Sequence, residues 1–208
     1  MFKFNKSAGQ ASRLLLVLAV VVFVAVIITF LIMKMATKPP APSNPATTVP
    51  LPVYEQTLGD IRFVFESALD KGNVLRASEI ANTQYNYSGQ KDFVIDNLGA
   101  KFIEVTVGAQ NMGTENTAQN AWDIENIVDS KGRNFVPLEN GAVNPWLPNP
   151  DLCGSLLKPA FDPTPCTKIY EVSKASTGLK IRVVSGKDNK SVSSGSGNME
   201  FLLDLIVK

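Results

Sequence analysis

Few side chains in this sequence could carry chemistry, and their types limit what that chemistry could be. Histidine is absent. Neither a Ser-His-Asp nor a Cys-His relay can therefore be assembled within the chain. Zinc sites of the usual histidine-containing kinds are excluded too, and two cysteines cannot supply a four-cysteine site. Those two, Cys153 and Cys166, enclose the proline-rich stretch GSLLKPAFDPTP. An even pair in an extracytoplasmic domain is expected to form a disulfide. Closing so short a loop would stabilise the fold by roughly 3 kcal/mol in the chain-entropy model. The competing role is a redox-active pair, which prefers Cys-x-x-Cys spacing and a lowered thiol pKa.

Asp123, Glu125 and Asp129 follow Trp122 closely and could offer oxygen ligands to calcium. Their spacing is not that of an EF-hand loop, and Asp123 and Glu125 fall on the strand face opposite Trp122 and Ile124. A solvated strand face accounts for them. Trp122, Trp146, Tyr85, Tyr87 and Tyr170 are among the large aromatic residues with a polar handle. Trp122, on the apolar side of a strand, is expected in the core. Trp146 sits in NGAVNPWLPNPD between Pro145 and Pro148, where a regular strand is excluded. A loop tryptophan there is either a partner-binding feature or a cap on the domain. No metal or cofactor is expected.

The elements that must position these residues divide the 208-residue chain into four parts. Residues 14–33, LLLVLAVVVFVAVIITFLIM, carry no charge, and Thr29 is their one polar residue. Twenty helical residues rise about 30 Å, the thickness of a bilayer's hydrocarbon core. We therefore read a single transmembrane helix over 14–34. Lys3, Lys6 and Arg13 precede it and Lys34 and Lys38 follow, a bias that keeps the tail 1–13 in the cytoplasm and the rest outside. The apolar run is too long for a cleaved signal peptide and ends in Met33-Lys34-Met35, so an uncleaved signal anchor is expected. No GxxxG-like motif lies inside the span to support helix pairing. Residues 35–53 hold prolines at 39, 40, 42, 45, 50 and 52. They read as an extended linker that spaces the domain from the membrane.

From Tyr54 to Lys208 the pattern changes to period two. Ile61, Phe63 and Phe65 alternate with Arg62, Val64 and Glu66. Ile103, Val105, Val107 and Ala109 alternate with Phe102, Glu104, Thr106 and Gly108. Leu179, Ile181 and Val183, and later Met199 through Val207, repeat the pattern. Further strands are expected near Val74–Ala77, Phe93–Asp96, Trp122–Val128, Asn134–Pro137 and Ile169–Val172, with turn residues between them. A short helical turn is expected within 80–90. Seven or more short strands without a strong helix signal point to an all-β antiparallel sandwich. Five of the 20 basic residues precede this domain, leaving it 15 basic against 19 acidic, a net charge of −4. No concentrated basic footprint for nucleic acid is visible.

Four segments carry a resemblance to a known family. They are LGDIRFVFESALDKGNVL, KFIEVTVGAQNMGTENTA, IENIVDSKGRNFVP and CTKIYEVSKASTGLKIRVV. In this order, from Leu58 to Val184, they resemble the strands and turns of the bacterial telokin-like, immunoprotective-extracellular Ig-like domains, a family of unknown function. Ser173 replaces the family's usual proline, and a long insertion occupies residues 140–165. The resemblance implies an Ig-like sandwich on a bacterial surface behind a lipid or transmembrane anchor, with no catalytic residues to carry over. Together these readings lead to a non-enzymatic, membrane-anchored module that binds a protein or cell-envelope component through its outer domain. The alternative is a structural accessory subunit of a membrane complex.

Overall fold

The structure, a computed structural model, describes residues 21–24, 27, 51–82, 89–186, 190–192 and 197–208. The chain divides into two units, Met1–Pro50 and Leu51–Lys208. In the first, residues 21–24 and 27 are helical, and their side chains are exposed. The rest of the expected span 14–34, the tail 1–13 and most of the linker 35–53 lie outside the described residues. Among the described residues no helix is long and apolar enough to cross a membrane.

Two four-stranded antiparallel sheets make up the second unit. One runs in the order β1 (Glu55–Leu58), β2 (Ile61–Gly72), β5 (Ala100–Asn111), β8 (Thr164–Ser173). The other runs β10 (Met199–Asp204), β9 (Lys180–Ser185), β6 (Trp122–Val128), β7 (Asn134–Phe135). Their facing sides share one core. Ile61, Phe63, Val105, Val107 and Tyr170 come from the first sheet, and Trp122, Ile124, Ile127, Ile181, Val183 and Leu203 from the second. This is the β-sandwich that the period-two pattern predicts, and Trp122 is fully buried in it. Removing these aliphatic and aromatic side chains from water is the main force holding the sheets together.

Two bulges set which residues face inward. In β2, Phe65 pairs with Val107 and Ser67 with Thr106, so Glu66 is the extra residue. Inward positions then change from odd (Ile61, Phe63) to even (Ala68), because one inserted residue turns every later side chain over. In β6 the register slips between Ile124 and Ile127, which keeps both isoleucines inward. β1 was not anticipated by the sequence reading. It pairs Glu55 with Val64 and leaves the far half of β2 with a free edge. The C-terminus covers part of that edge: Val207 bridges Ala68, the Lys208 N–H donates to the Ala68 carbonyl and Asp70 N–H to the Lys208 carbonyl.

A partial third layer lies on the outer side of the first sheet. It contains the two-stranded pair β3 (Val74–Leu75) and β4 (Phe93–Val94), a 3-10 turn at Ala77–Glu79, the short helix α1 (Asn140–Val143) and a 3-10 turn at Asn144–Trp146. Its core joins Leu75, Ile95, Val143, Trp146 and Leu147 to Ala100, Phe102 and Ile169 of β5 and β8. The insertion at 140–165 is thus partly helical. Of the turn expected within 80–90, residues 83–88 lie outside the described residues, and the described ones there are not helical.

Candidate functional site

Cys153 and Cys166 are joined in a disulfide. Cys166 belongs to β8 and is buried, so the bridge fastens the irregular segment before β8 to that strand. Asp123 stands 4.0 Å from the Cys166 sulfur. Their proximity does not make a metal site, because the two sulfurs are already committed to each other.

Of the acidic residues considered for calcium, Asp123 and Asp129 have structural partners for their carboxylates, and Glu125 is exposed. Asp123 accepts from Lys168 Nζ at 2.8 Å, and the same ammonium donates to the Ile124 carbonyl at 2.7 Å. Tyr170 donates its hydroxyl to the Glu125 carbonyl at 2.7 Å. Lys168 and Tyr170 on β8 thereby satisfy two carbonyls at the bulge of the facing sheet. Burial first, then Asp123 and Glu125, push the Tyr170 hydroxyl well above its ordinary pKa. Asp129 is buried and pairs with Arg133 at 2.6 Å, and it also accepts from the backbone N–H groups of Lys131 and Arg133. Burial works to raise this carboxyl, but the Arg133 and backbone donors outweigh it and hold it at about 2. These are structural pairs that fix a bulge and a hairpin turn.

Two other carboxyls move the opposite way. Burial raises Glu66, whose side chain lies over β5 at Gly108, where a Cβ would come within 2.8 Å of Pro163. Burial also raises Glu104, partly countered by Lys71 and reinforced by Glu79.

Trp146 stands elsewhere than on a binding loop. It is 2% exposed, at the end of the Asn144–Trp146 turn, and its indole N–H donates to the Arg76 carbonyl at 2.7 Å. Of the two readings of this residue, a partner-binding feature or a cap on the domain, its burial is that of a cap: it fills the third layer. The reason is that the outer face of β5 and β8 carries Phe102 and Ile169, and an apolar face must be covered. The Trp146 ring lies 6.2 Å from Phe93, and Phe93 is stacked on Phe102 at 5.6 Å.

That aromatic stack is the floor of an open groove of about 310 Å³, lined by Phe93, Val94, Ile95, Asp96, Asn97, Phe102 and Glu171. Register explains how the lining converges: Phe102 and Glu171 are cross-strand partners on the outer face, while β4 brings Phe93 over them. The lip is apolar and exposed, with Val94 at 51% and the neighbouring Leu98 at 80%. The Leu98 turn is pinned by Asn97 Oδ1, which accepts from Gly99 N–H, and by Lys174 Nζ, which donates to the Leu98 carbonyl. Asp96 and Glu171 are exposed, and among the described residues the lining holds no cation, Lys174 standing at the Leu98 lip outside it. At the other end of the sandwich, Gln110 to Thr114 with Pro159 and Ala160 line a depression of about 420 Å³, flanked by exposed Met112 and Phe161. Its lining has no aromatic ring and no charge.

As candidate functional residues, sequence reasoning singled out none of the groove lining, only Trp146, which supports it; Phe93–Asp96 and Phe102 were read as strand residues. The overlooked signal is the series Phe102, Glu104, Thr106, Gly108. Phenylalanine on an otherwise polar strand face marks a place where something else packs.

No family model matches the chain, and no curated protein matches it. Solved structures similar to it include the ycdA protein of Bacillus subtilis, described as a candidate lipoprotein, at 11% identity and a TM-score of 0.41; the match covers 73% of this chain and 38% of that one. A conserved hypothetical protein from Bacillus anthracis matches at 13% identity and 0.41, over 74% of this chain and 94% of that one. An uncharacterized β-sandwich protein of Clostridium difficile matches at 8% identity and 0.38, over 75% and 92%. Likenesses this distant carry no argument about what this chain does.

Proposed function

We propose that this chain is a non-enzymatic, membrane-anchored module whose outer domain binds a protein or envelope component through the groove beside β4. One observation carries the reading. The groove combines an aromatic floor, an exposed apolar lip and carboxylates that no cation in the lining neutralises, whereas the paired charges elsewhere have structural work. Exposed apolar side chains gathered at a concave site are a feature of contact surfaces. The uncharged run 14–33 and the linker after it support display of the domain outside a membrane. A disulfide fits an oxidising compartment. The motif order from Leu58 to Val184 supports the finer assignment to an Ig-like domain of the telokin-like kind. The absence of histidine and the structural pairing of Asp123 and Asp129 support a role without catalysis.

The test is site-specific photocrosslinking of the full chain in its native membranes. A photoreactive residue replaces Leu98 at the groove lip or, as a control, Val136, which is 66% exposed and outside the groove. A discrete adduct formed from position 98 and not from 136 is the expected result. The same products from both positions, or none from 98, would remove the groove from the proposal.

A further inference from the structure

Resting on the groove as the binding site, we propose that its occupant is a basic peptide segment, with one lysine or arginine side chain seated between Asp96 and Glu171. The inference concerns the sign and shape of the ligand. Both carboxylates line the same cavity of about 310 Å³, and all the remaining lining residues are uncharged. A phosphate, a nucleic acid or an anionic lipid headgroup would be repelled there. A neutral apolar segment would desolvate two carboxylates without compensation.

A lysine or arginine side chain meets both demands. Its aliphatic stem can lie on Phe93, whose ring is stacked on Phe102, while its charged head reaches the carboxylates at the rim. Charge-assisted hydrogen bonds and the aromatic face both favour a cation in that position. Exposed Val94 and Leu98 offer apolar contact to the residues flanking the basic one, which a free small amine could not use. The domain's own negative balance, 19 acidic against 15 basic residues, favours the approach of such a segment.

Trp146 provides a built-in reporter. It is one of two tryptophans, and its ring lies 6.2 Å from Phe93, whereas Trp122 is sealed in the main core. The experiment titrates the full chain in detergent with a synthetic lysine- and leucine-rich peptide. A peptide with glutamate in place of lysine serves as control. Binding is followed by peptide anisotropy and by Trp146 emission. Variants are Asp96→Asn with Glu171→Gln, which keep the shape of exposed side chains, and Asp96→Lys with Glu171→Lys.

The expected result is binding of the lysine peptide alone, weakened by salt. At about 0.2–1 kcal/mol for each exposed pair, neutralising both carboxylates should weaken it roughly 2- to 30-fold. Charge reversal should abolish it. Equal binding of the glutamate peptide, affinity unchanged in the neutral variant, or no binding of the lysine peptide would each overturn the inference. Failure here beside a discrete adduct at position 98 leaves the groove as a contact site and removes only its preference for a basic segment. Loss of both results removes the groove itself.

Discussion

Replacing Trp146 by alanine separates a binding role from a packing role. The ring is 2% exposed, lies 6.2 Å from Phe93, and donates its N–H to the Arg76 carbonyl at 2.7 Å. Truncating a buried tryptophan typically costs about 3–5 kcal/mol, from lost transfer energy and the cavity left behind. The Arg76 carbonyl keeps its bond from the Glu79 N–H, so loss of the indole donor belongs inside that range. For domains of this size, about 2–4 °C of melting temperature corresponds to each kcal/mol, so a fall of roughly 6–20 °C is expected. The assay is thermal unfolding of the β-sandwich domain within the full chain, followed by near-ultraviolet circular dichroism. Trp146→Phe tests the hydrogen bond separately: it keeps most of the apolar area, leaves the Arg76 carbonyl its bond from the Glu79 N–H, and should cost about 0.5–1.5 kcal/mol from the lost indole donor. A Trp146→Ala melting temperature within 2 °C of the parent (about the shift of 1 kcal/mol or less) would refute the reasoning. It would mean that the ring supports no third layer and that Phe102 is covered by something else.

Three further outcomes follow from the same geometry. Converting Cys153 and Cys166 to alanine opens a loop with a sequence separation of 13. It should cost about 3 kcal/mol, lowering the melting temperature by roughly 6–12 °C, and reductant should shift the parent but not the variant. Tyr170→Phe keeps the buried ring but leaves the Glu125 carbonyl at the β6 bulge without its 2.7 Å donor, at a cost of about 1–3 kcal/mol by denaturant unfolding. Asp129 gives a pH signature. Its folded carboxyl is held at about 2 against an ordinary 3.8, so its stabilising contribution is full above 3.8 and is lost as pH falls towards 2. The melting temperature of the parent should therefore converge on that of Asp129→Asn between those two values. A constant gap between the two proteins across that window would show that Arg133 does not hold the carboxyl down.

Much of the sandwich was legible because strand periodicity is a local property. Ile103 to Ala109 alternate with more polar residues, and β5 buries that set. Trp122–Val128 was readable as a strand with the bounds it has, and Trp122 as core. The two cysteines, in a domain expected outside the cytoplasm, were enough to expect their bond. Lack of histidine determined which catalytic classes were closed to the chain before any coordinate was known.

What tertiary structure decided were the properties that depend on residues far apart in sequence. The bulge at Glu66 reverses the inward parity of β2, and only the register against Val107 and Thr106 reveals it. β1 is four residues long and takes its place by pairing with β2, not by a strong pattern of its own. Asp129 looks like any surface carboxylate until Arg133 folds over it. Trp146 looked like a loop residue because its neighbours are prolines. Its burial follows from Phe102 and Ile169 on the outer face of a sheet, which oblige the chain to cover them. The groove exists because that cover is incomplete: β4 brings Phe93 over Phe102 and stops, leaving Asp96 and Glu171 beside it. A linear reading registers each of these residues, but the distance between them is set only when two strands and a distant insertion pack together.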